Sequence, residues 1–291
     1  MAVFPSRSGK AVFKTDMLVE HTDMPPGMTY RQAARKAVAM CVSDFSAKGV
    51  RPEAFMVSVG LTRKVRQREV DELAAGLKDA ARRWRLNLVG GDTNESKELV
   101  IDCAMLGFAE RITTRAGASP GDLLVVTGPF GYQSAGLKIL MAEAQAGSRF
   151  RQTATRSVLE PEPNLEAGIA LAPYLTSSMD SSDGLARSIH TIAKESGVGF
   201  ELFRLPAGSG VKSFAAANGL DPEKLVLQGG EEYLIVGTVK ESQFEKAAAA
   251  AKRAGAQLVA IGSANRRKGR VVLKHGKTVR MVRDVGWTHL G

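Results

Sequence analysis

The sequence predicts an α+β fold built from two domains. The chain has 291 residues, and since one domain commonly holds about 100–200 residues, this length suits two. Strand-like and helix-like segments are connected by a mixture of crossovers and hairpins, which favours α+β over a doubly wound parallel sheet. A polar, turn-rich segment at residues 111–122 lies between the two halves. We therefore expect an N-terminal domain at 1–112 and a C-terminal domain at 113–291.

The N-terminal half predicts strands that are connected by helices. β-Branched and apolar residues predict strands at Ala11–Leu18 and Phe55–Leu61. Between them, Thr29-Tyr-Arg-Gln32 is a capping box that opens an Ala-rich helix. A second helix is predicted near Glu69–Trp84, with its apolar residues on one face. Two short strands are predicted after it, at Leu86–Val89 and Leu99–Phe108.

The C-terminal half begins a second α/β unit. A strand at Leu123–Thr127 leads into a helix at Gln133–Ala144. Three later strands are predicted near Gly199–Phe203, Tyr233–Thr238 and Leu258–Ile261. Val271–Lys274 and Thr278–Val282 are predicted to form a hairpin, since a Gly-containing turn separates them.

Composition and charge restrict the class of protein. Apolar residues make up 44% and charged residues 24%, which excludes disordered, collagen-like and disulfide-scaffold classes. The net charge of +10 favours polyanionic partners: nucleic acid, anionic lipid or phosphorylated small molecules. Because no apolar stretch approaches ~20 residues and no signal peptide is recognisable, we expect a cytoplasmic protein that does not enter the membrane. Cys41 and Cys103 are then expected to be reduced core residues.

Several familiar sequence motifs are absent. Gly276-Lys277-Thr278 has the end of a phosphate-binding loop, but the required first Gly falls on Val271 and the flanking segments predict strands. The sequence also contains no His-Arg-Asp kinase loop, no HExxH and no CxxC.

A set of aspartates stands out, each at a predicted strand end or turn and each beside Ser, Thr or Gly. Its members are Asp16, Asp44, Asp92, Asp180 and Asp183. Taken singly, such an Asp is more typical of a helix cap or turn, and both Asp44 and Asp183 are well placed to cap helices. Magnesium–nucleotide sites, however, use scattered carboxylates together with the phosphates of the substrate. The set as a whole therefore indicates a magnesium–nucleotide site.

These aspartates belong to motifs that occur in collinear order over nearly the whole chain. The motifs are Thr15-Asp16-Met-Leu-Val-Glu20, Ser43-Asp44-x2-Ala47-x-Gly49, Gly90-Gly91-Asp92-Thr93, Arg115-x-Gly-Ala-x-Pro120-Gly121-Asp122, Asp180-x-Ser182-Asp183-Gly184-Leu185, Gly229-Gly230-Glu231-Glu232-Tyr233 and Gly286-Trp287-x-His289. In this order they resemble the thiamine-monophosphate kinases, of the superfamily that includes aminoimidazole ribonucleotide synthetase and selenophosphate synthetase.

The resemblance implies a role for each matching residue. The residues implied to contact magnesium are Thr15, Asp16, Asp44, Asp92, Asp180 and Asp183. Those implied to line the ATP site are Gly91, Asp92, Arg115 and Ser182, of which Asp92 and Arg115 serve the transfer itself. Those implied to hold thiamine phosphate are Asp23, Glu231 and Trp287. Family members often have His where Asp23 stands.

The resemblance also implies an activity and an assembly. The activity is ATP-dependent, Mg²⁺-assisted transfer of a phosphoryl group to thiamine monophosphate. The acceptor oxygen is already anionic, so the reaction needs in-line positioning and charge neutralisation more than acid–base help. The N-terminal domain is expected to bind ATP and Mg²⁺ and to form the sheet of a homodimer interface, with nucleotide at that interface. The C-terminal domain is expected to complete the nucleotide and substrate site.

Other interpretations remain open at this point. The residues alone do not separate an aminoimidazole ribonucleotide synthetase from a thiamine-monophosphate kinase, and activity with each acceptor would separate them. A selenophosphate synthetase is expected to carry a reactive Cys or selenocysteine near a Gly-rich N-terminus, and none appears in this sequence. A nucleic-acid-binding protein is suggested by the charge and by the basic runs at 82–85 and 266–268, although no RNA-binding motif accompanies them. Family members carry a Gly-Asp-Asp segment just before the first strand, and this sequence opens after that point. We expect either a longer natural chain or one carboxylate fewer.

Overall fold

The computed structural model describes residues 1–6 and 9–287. The strands are β1 (Ala2–Ser6), β2 (Gly9–Val19), β3 (Arg51–Leu61), β4 (Asn87–Glu95), β5 (Val100–Ala109), β6 (Asp122–Thr127), β7 (Leu175–Asp180), β8 (Gly199–Leu202), β9 (Ile235–Lys240), β10 (Leu258–Asn265), β11 (Val271–His275) and β12 (Thr278–Met281). The helices are α1 (Glu20–Asp23), α2 (Tyr30–Lys48), α3 (Gln67–Trp84), α4 (Tyr132–Leu140), α5 (Ser148–Leu159), α6 (Leu165–Leu171), α7 (Leu185–Ser196), α8 (Val211–Ala217), α9 (Pro222–Leu227) and α10 (Phe244–Arg253).

Two mixed sheets organise the molecule. The first has the order β1-β2-β5-β3-β4, in which only β3 and β4 run parallel. The second has the order β12-β11-β8-β10-β6-β9-β7, in which only β11 and β8 run parallel. Mixed, largely antiparallel sheets confirm the α+β prediction.

Helix α2 lies between the two sheets. Its N-terminus carries the predicted capping box: Thr29 accepts a hydrogen bond from the Gln32 backbone N–H, and the Gln32 side chain accepts one from the Thr29 N–H. Its small side chains pack on β2 and β5, and its other side meets α6 and β7. A Cβ at Gly168 of α6 would lie 2.0 Å from the Ser46 carbonyl oxygen, so only Gly allows this close approach. One helix thus carries side chains to both halves of the molecule.

The predicted elements are confirmed with shifted ends. The helix predicted at Gln133–Ala144 ends at Leu140, because Ala142 adopts a left-handed φ of 59°. The strand predicted at Leu86–Val89 continues to Glu95, since residues up to Glu95 pair with β3.

Strands β1 and β7 and helices α1 and α5 to α10 are not predicted by the sequence pattern. Strand β7 is buried although it is rich in hydroxyl groups, which are satisfied internally: Ser177 hydrogen-bonds to Thr238 over 2.7 Å, and Ser178 donates to the Ala47 carbonyl. Its polar composition therefore does not match the apolar pattern expected of a buried strand.

Both cysteines are buried and unpaired, and the Cys41 thiol donates to the Cys103 carbonyl over 3.1 Å. Within residues 1–6 and 9–287, no helix combines the length and apolar character that crossing a membrane demands.

Candidate active site

A lysine bridges two of the predicted metal ligands. Asp16 lies inside β2 and Asp44 lies inside α2, and the Lys14 Nζ is 3.1 Å from Asp16 Oδ1 and 2.7 Å from Asp44 Oδ2. Burial raises the pKa of Asp16, although Lys14 opposes this. Burial also disfavours the charge of Lys14, but Asp44 and Asp16 outweigh it and raise the pKa of the ammonium. The expectation that Asp44 caps a helix is wrong, since it lies within α2.

A third aspartate, Asp180, lies at the end of β7 and faces α2. It is only 5% exposed, and the Ser43 hydroxyl donates to its Oδ2 over 2.8 Å. Burial, and then the neighbouring Asp44 carboxylate, raise the pKa of Asp180 to about 7. Helix α2 thus brings Ser43 and Asp44 to the end of β7, where Asp180 is held.

Lys48, one turn after Asp44, adds a buried cation to this group. Its Nζ donates to the Ser178 carbonyl over 2.7 Å. Burial, followed by the neighbouring Arg115 guanidinium, lowers the pKa of Lys48 to about 8, and Asp44 and Asp180 act in the opposite direction. Lys48 and Arg115 therefore place two cationic groups near the carboxylates.

A second polar group lies near the start of α2. Lys36 has no exposed surface, and its Nζ is 2.6 Å from Glu231 Oε1 and donates to the Asp23 carbonyl over 2.8 Å. The Tyr233 hydroxyl donates to the same Glu231 oxygen over 3.2 Å. Asp23 itself accepts from the Val19 backbone N–H over 2.7 Å. The predicted substrate residues Asp23 and Glu231 are thus brought together through Lys36.

The remaining C-terminal residues of the predicted site join this group through the backbone. The Glu231 N–H donates to the Ser182 carbonyl over 2.6 Å, and the Trp287 N–H donates to the Asp183 carbonyl over 3.0 Å. A Cβ on Gly230 would lie 3.7 Å from the Trp287 Cβ. Asp183 precedes Gly184, the N-cap of α7, so the expectation that it caps that helix is wrong. His289 lies outside the described residues.

Within one chain, three predicted site residues lie apart from both the aspartates and the Lys36–Glu231 pair. They are Thr15, Gly91 and Asp92. Thr15 donates to Asp102 Oδ1 over 2.7 Å, and since its side chain alternates with that of Asp16, it lies on the other face of the sheet. Gly91 and Asp92 are exposed within β4, three strand spacings or roughly 14 Å from β2. They line a cavity of about 470 Å³ together with Val57 and Leu77.

Comparison with known proteins assigns the family. The N-terminal domain of the AIR synthase related proteins matches residues 1–109, and their C-terminal domain matches residues 119–274. The thiamine-monophosphate kinase of Nitrosopumilus maritimus is 37% identical over 278 residues, covering 96% of this chain and 88% of that protein. The corresponding kinase of Pyrococcus abyssi is 33% identical over 278 residues, covering 95% and 84%. The chain belongs to the thiamine-monophosphate kinase family.

A solved structure supports the same family at the level of the fold. The structure described as AaThiL complexed with AMPPCP and TMP superposes with a TM-score of 0.87 at 26% identity. The superposition covers 99% of this chain and 90% of that chain. The two-domain α+β prediction and the resemblance to thiamine-monophosphate kinases are both confirmed.

Asp16, Asp44 and Asp180 together form an acidic group. The magnesium that the kinase family implies fits one part of this acidic group and does not fit another part. Oxygen donors such as Asp44 and Asp180 suit Mg²⁺ when phosphate oxygens and water complete its shell. Within the described part of the chain, however, no three Asp, Glu, His or Cys side chains converge on one point. The space between Asp16 and Asp44 holds the ammonium of Lys14 instead. A single chain therefore fits Mg²⁺ beside Asp44 and Asp180 with nucleotide present, and does not fit it between Asp16 and Asp44.

Three interior lysines lie beside the carboxylates of this kinase-family chain and are not among the site residues that the sequence predicts. Lys36 and Lys48 lie on α2 at multiples of four residues from Asp44, and they therefore share its helix face. Lys14 lies two residues before Asp16 on one face of β2. Helical and strand periodicity, applied to the charged residues, could have found all three.

A further carboxyl group at the Gly-Gly-Glu motif has a structural contact. Glu232 Oε1 accepts from the Gly131 N–H over 2.5 Å, at the N-terminus of α4. Burial raises the pKa of Glu232 to about 8, opposed by the N–H groups of Gly131 and Gln133. In this kinase-family chain Glu231 thus faces the Lys36 group, whereas Glu232 caps a helix.

Proposed function

We propose that the protein transfers the terminal phosphoryl group of ATP to thiamine monophosphate and so forms thiamine diphosphate and ADP. The observation that carries this proposal is the match over 99% of the chain to a structure holding AMPPCP and TMP. AMPPCP is ATP with a methylene group in place of the β,γ-bridging oxygen. Relatives that carry the name thiamine-monophosphate kinase, at up to 37% identity, support the same activity.

The arrangement of polar groups along α2 is consistent with two substrates held end to end. Lys36 and Asp44 are eight residues apart on this helix, which corresponds to about 12 Å. Asp44, Asp180, Lys48 and Arg115 would receive the phosphates of ATP, and the Lys36–Glu231 pair would receive the thiamine end of the acceptor. The cationic groups offset the charge that accumulates as two phosphates approach, while α2 fixes their separation.

We also propose that Mg²⁺ binds with ATP beside Asp44 and Asp180. When bound, it would neutralise phosphate charge and polarise the transferred group. The protein residues then have the task of orientation. Ser43 fixes one oxygen of Asp180, and the Ser188 hydroxyl donates to the Asp180 carbonyl over 3.2 Å. Both contacts hold the carboxylate in one position.

A homodimer forms part of the proposal, with the N-terminal sheet as its interface. The face of this sheet opposite α2 exposes large apolar side chains. They are Phe4, Phe13, Met17, Met56 and Phe108. A contiguous exposed apolar face of this kind is typical of a protein–protein interface. In the sheet register, Asp92 lies beside Ser58, which lies opposite Asp102. The proposed nucleotide residue Asp92 would therefore adjoin the proposed interface. The two domains of the proposal are residues 1–112 and 113–291.

The test is to supply the purified protein with ATP and Mg²⁺ and to vary the acceptor. Thiamine monophosphate should give thiamine diphosphate and one ADP for each product molecule. Thiamine and formylglycinamidine ribonucleotide, the precursor of the aminoimidazole ribonucleotide ring, serve as comparison acceptors. ADP formation that requires the ribonucleotide, with no thiamine diphosphate formed, would contradict the proposal.

A further inference from the structure

Lys14 occupies an unusual position in the acidic group. Its ammonium contacts one carboxylate oxygen of Asp16 and one of Asp44, at 3.1 and 2.7 Å, although these residues come from a strand and a helix. The Lys14 side chain is 18% exposed, and those of Asp16 and Asp44 are 27% and 12% exposed. A cation is therefore held between two carboxylates in a largely water-excluded space.

The geometry resembles that of a bridging metal more than that of an ordinary surface ion pair. An ammonium has three N–H donors, and two of them are directed at oxygens from different elements. Two carboxylates in such a space repel one another unless a cation lies between them. In the described part of the chain, Lys14 is the ion-pair partner of both Asp16 and Asp44. It therefore supplies the charge that a divalent ion would otherwise supply.

Asp180 is held differently from this pair. Its Oδ2 accepts from the Ser43 hydroxyl over 2.8 Å, and Lys14 forms no ion pair with it in the described residues. The Asp180 side of Asp44 is therefore the side on which a divalent ion with phosphate oxygens would bind. The acidic group therefore divides into a carboxylate pair that an ammonium bridges and a third carboxylate, Asp180, that accepts from a hydroxyl instead.

We propose that the Lys14 ammonium takes the place of a divalent cation between Asp16 and Asp44, so that this protein binds one metal ion fewer than the carboxylates alone would hold. The inference rests on the proposed function, because that function makes the acidic group a phosphate site. The ammonium ties β2 to α2 whether or not nucleotide is bound. Divalent ions then enter only on the Asp180 side.

The test counts bound Mn²⁺, a spectroscopic substitute for Mg²⁺, by electron paramagnetic resonance in the presence of AMPPCP. Lys14→Met keeps the length of the side chain and removes its charge. Lys10→Met, on the same face of the same strand, is the matched control. We expect Lys14→Met to bind one Mn²⁺ more per chain than the unaltered protein, and Lys10→Met to bind the same number. Equal counts for Lys14→Met and the unaltered protein would overturn the proposal.

A second variant makes the test independent of how well Lys14→Met folds. In the unaltered background, Asp16→Asn should leave the Mn²⁺ count unchanged, since no metal is expected to touch Asp16. A count lower by one would show that Lys14 moves aside for metal and would overturn the proposal. Both counts are made without thiamine monophosphate. A failure of the proposed function would instead appear as absent thiamine diphosphate, so the two failures are distinguishable.

Discussion

At the scale of single residues, two interior lysines lie in different parts of the candidate site. Lys36 is fully buried and holds Glu231 and the Asp23 segment together, whereas Lys48 lies near Arg115 and the aspartates. Both lie on α2, Lys36 near its start and Lys48 at its end. Substitution of either lysine should therefore affect a different substrate.

Lys36→Met should weaken the acceptor site selectively. Loss of a charge-assisted hydrogen bond of about 1.5–3 kcal/mol should raise the KM for thiamine monophosphate roughly 10- to 150-fold and leave that for ATP within about 2-fold. Lys48→Met is the matched variant and should raise the KM for ATP instead. Steady-state kinetics in both substrates, with circular dichroism to verify folding, measures this. An equal rise in both KM values in Lys36→Met would contradict the assignment.

Asp92→Asn tests a residue that a single chain leaves far from the other carboxylates. We expect activity at saturating ATP to fall at least ~100-fold, since positioned charge at phosphate is worth several kcal/mol in the transition state. Stability should change little, because Asp92 is exposed and its contact to the Thr93 N–H is local. Turnover and melting temperature are measured together. Near-normal turnover at limiting Mg²⁺ would remove Asp92 from the site.

At the scale of secondary-structure elements, the position of the Glu231 side chain depends on how the segment around it is fixed at the start of α4. The Gly-Gly-Glu segment leaves Glu231 and Tyr233 with positive φ values of 60° and 50°. Such conformations are costly for residues other than Gly and persist where surrounding contacts fix them. Here the contacts are Lys36 on the Glu231 carboxylate and Glu232 at the start of α4. The Glu232 contact at the start of α4 therefore helps to fix the backbone that presents Glu231 to Lys36.

Glu232→Gln should make stability less dependent on pH. The folded-state pKa of Glu232 is raised to about 8, so the folded protein retains a proton that the unfolded chain releases near its ordinary value. Stability is therefore lost as pH rises through this interval. The melting temperature of Glu232→Gln, relative to the unaltered protein, should rise from pH 5 to pH 8.5, by about 2–4 °C for each kcal/mol.

The control for this experiment is Glu245→Gln, which alters an exposed carboxyl group in the first turn of α10. Calorimetry across the pH series compares the three proteins in the absence of divalent ions. A pH-independent difference between Glu232→Gln and the unaltered protein would show that the Glu232 proton contributes nothing to stability.

At the scale of the whole molecule, the sequence was sufficient to predict individual elements and the family, but it did not predict how the site residues are arranged in space. Strand alternation and the capping box located β2, β3 and α2, and the order of the motifs located the family. The pairing of β7 beside β9, which brings Asp180 to Asp44, depends on contacts between residues far apart in the chain. Strand periodicity places Lys14 on the face of β2 that carries Asp16, but its contact with Asp44 depends on the packing of α2 against that strand. Local rules specify elements, whereas tertiary contacts decide what the site contains.

The proposed homodimer makes a prediction at the same scale. Met56 is 49% exposed on the apolar sheet face, and Met141 is 49% exposed on another part of the surface. Met56→Asp should convert the dimer into monomers at micromolar concentration and reduce turnover, because it places a charge in an apolar interface. Met141→Asp should change neither property. Sedimentation velocity measures the mass, and an unchanged dimer in Met56→Asp would exclude this face as the interface.

The most direct test of the account follows the fate of the transferred phosphorus. In a single turnover with γ-³²P-labelled ATP, Mg²⁺ and thiamine monophosphate, excess enzyme is quenched at intervals and the products are separated by chromatography. The account predicts that label leaves ATP and appears in thiamine diphosphate at the same rate, with one ADP per labelled product. Label released as inorganic phosphate, with none in thiamine diphosphate, would contradict it.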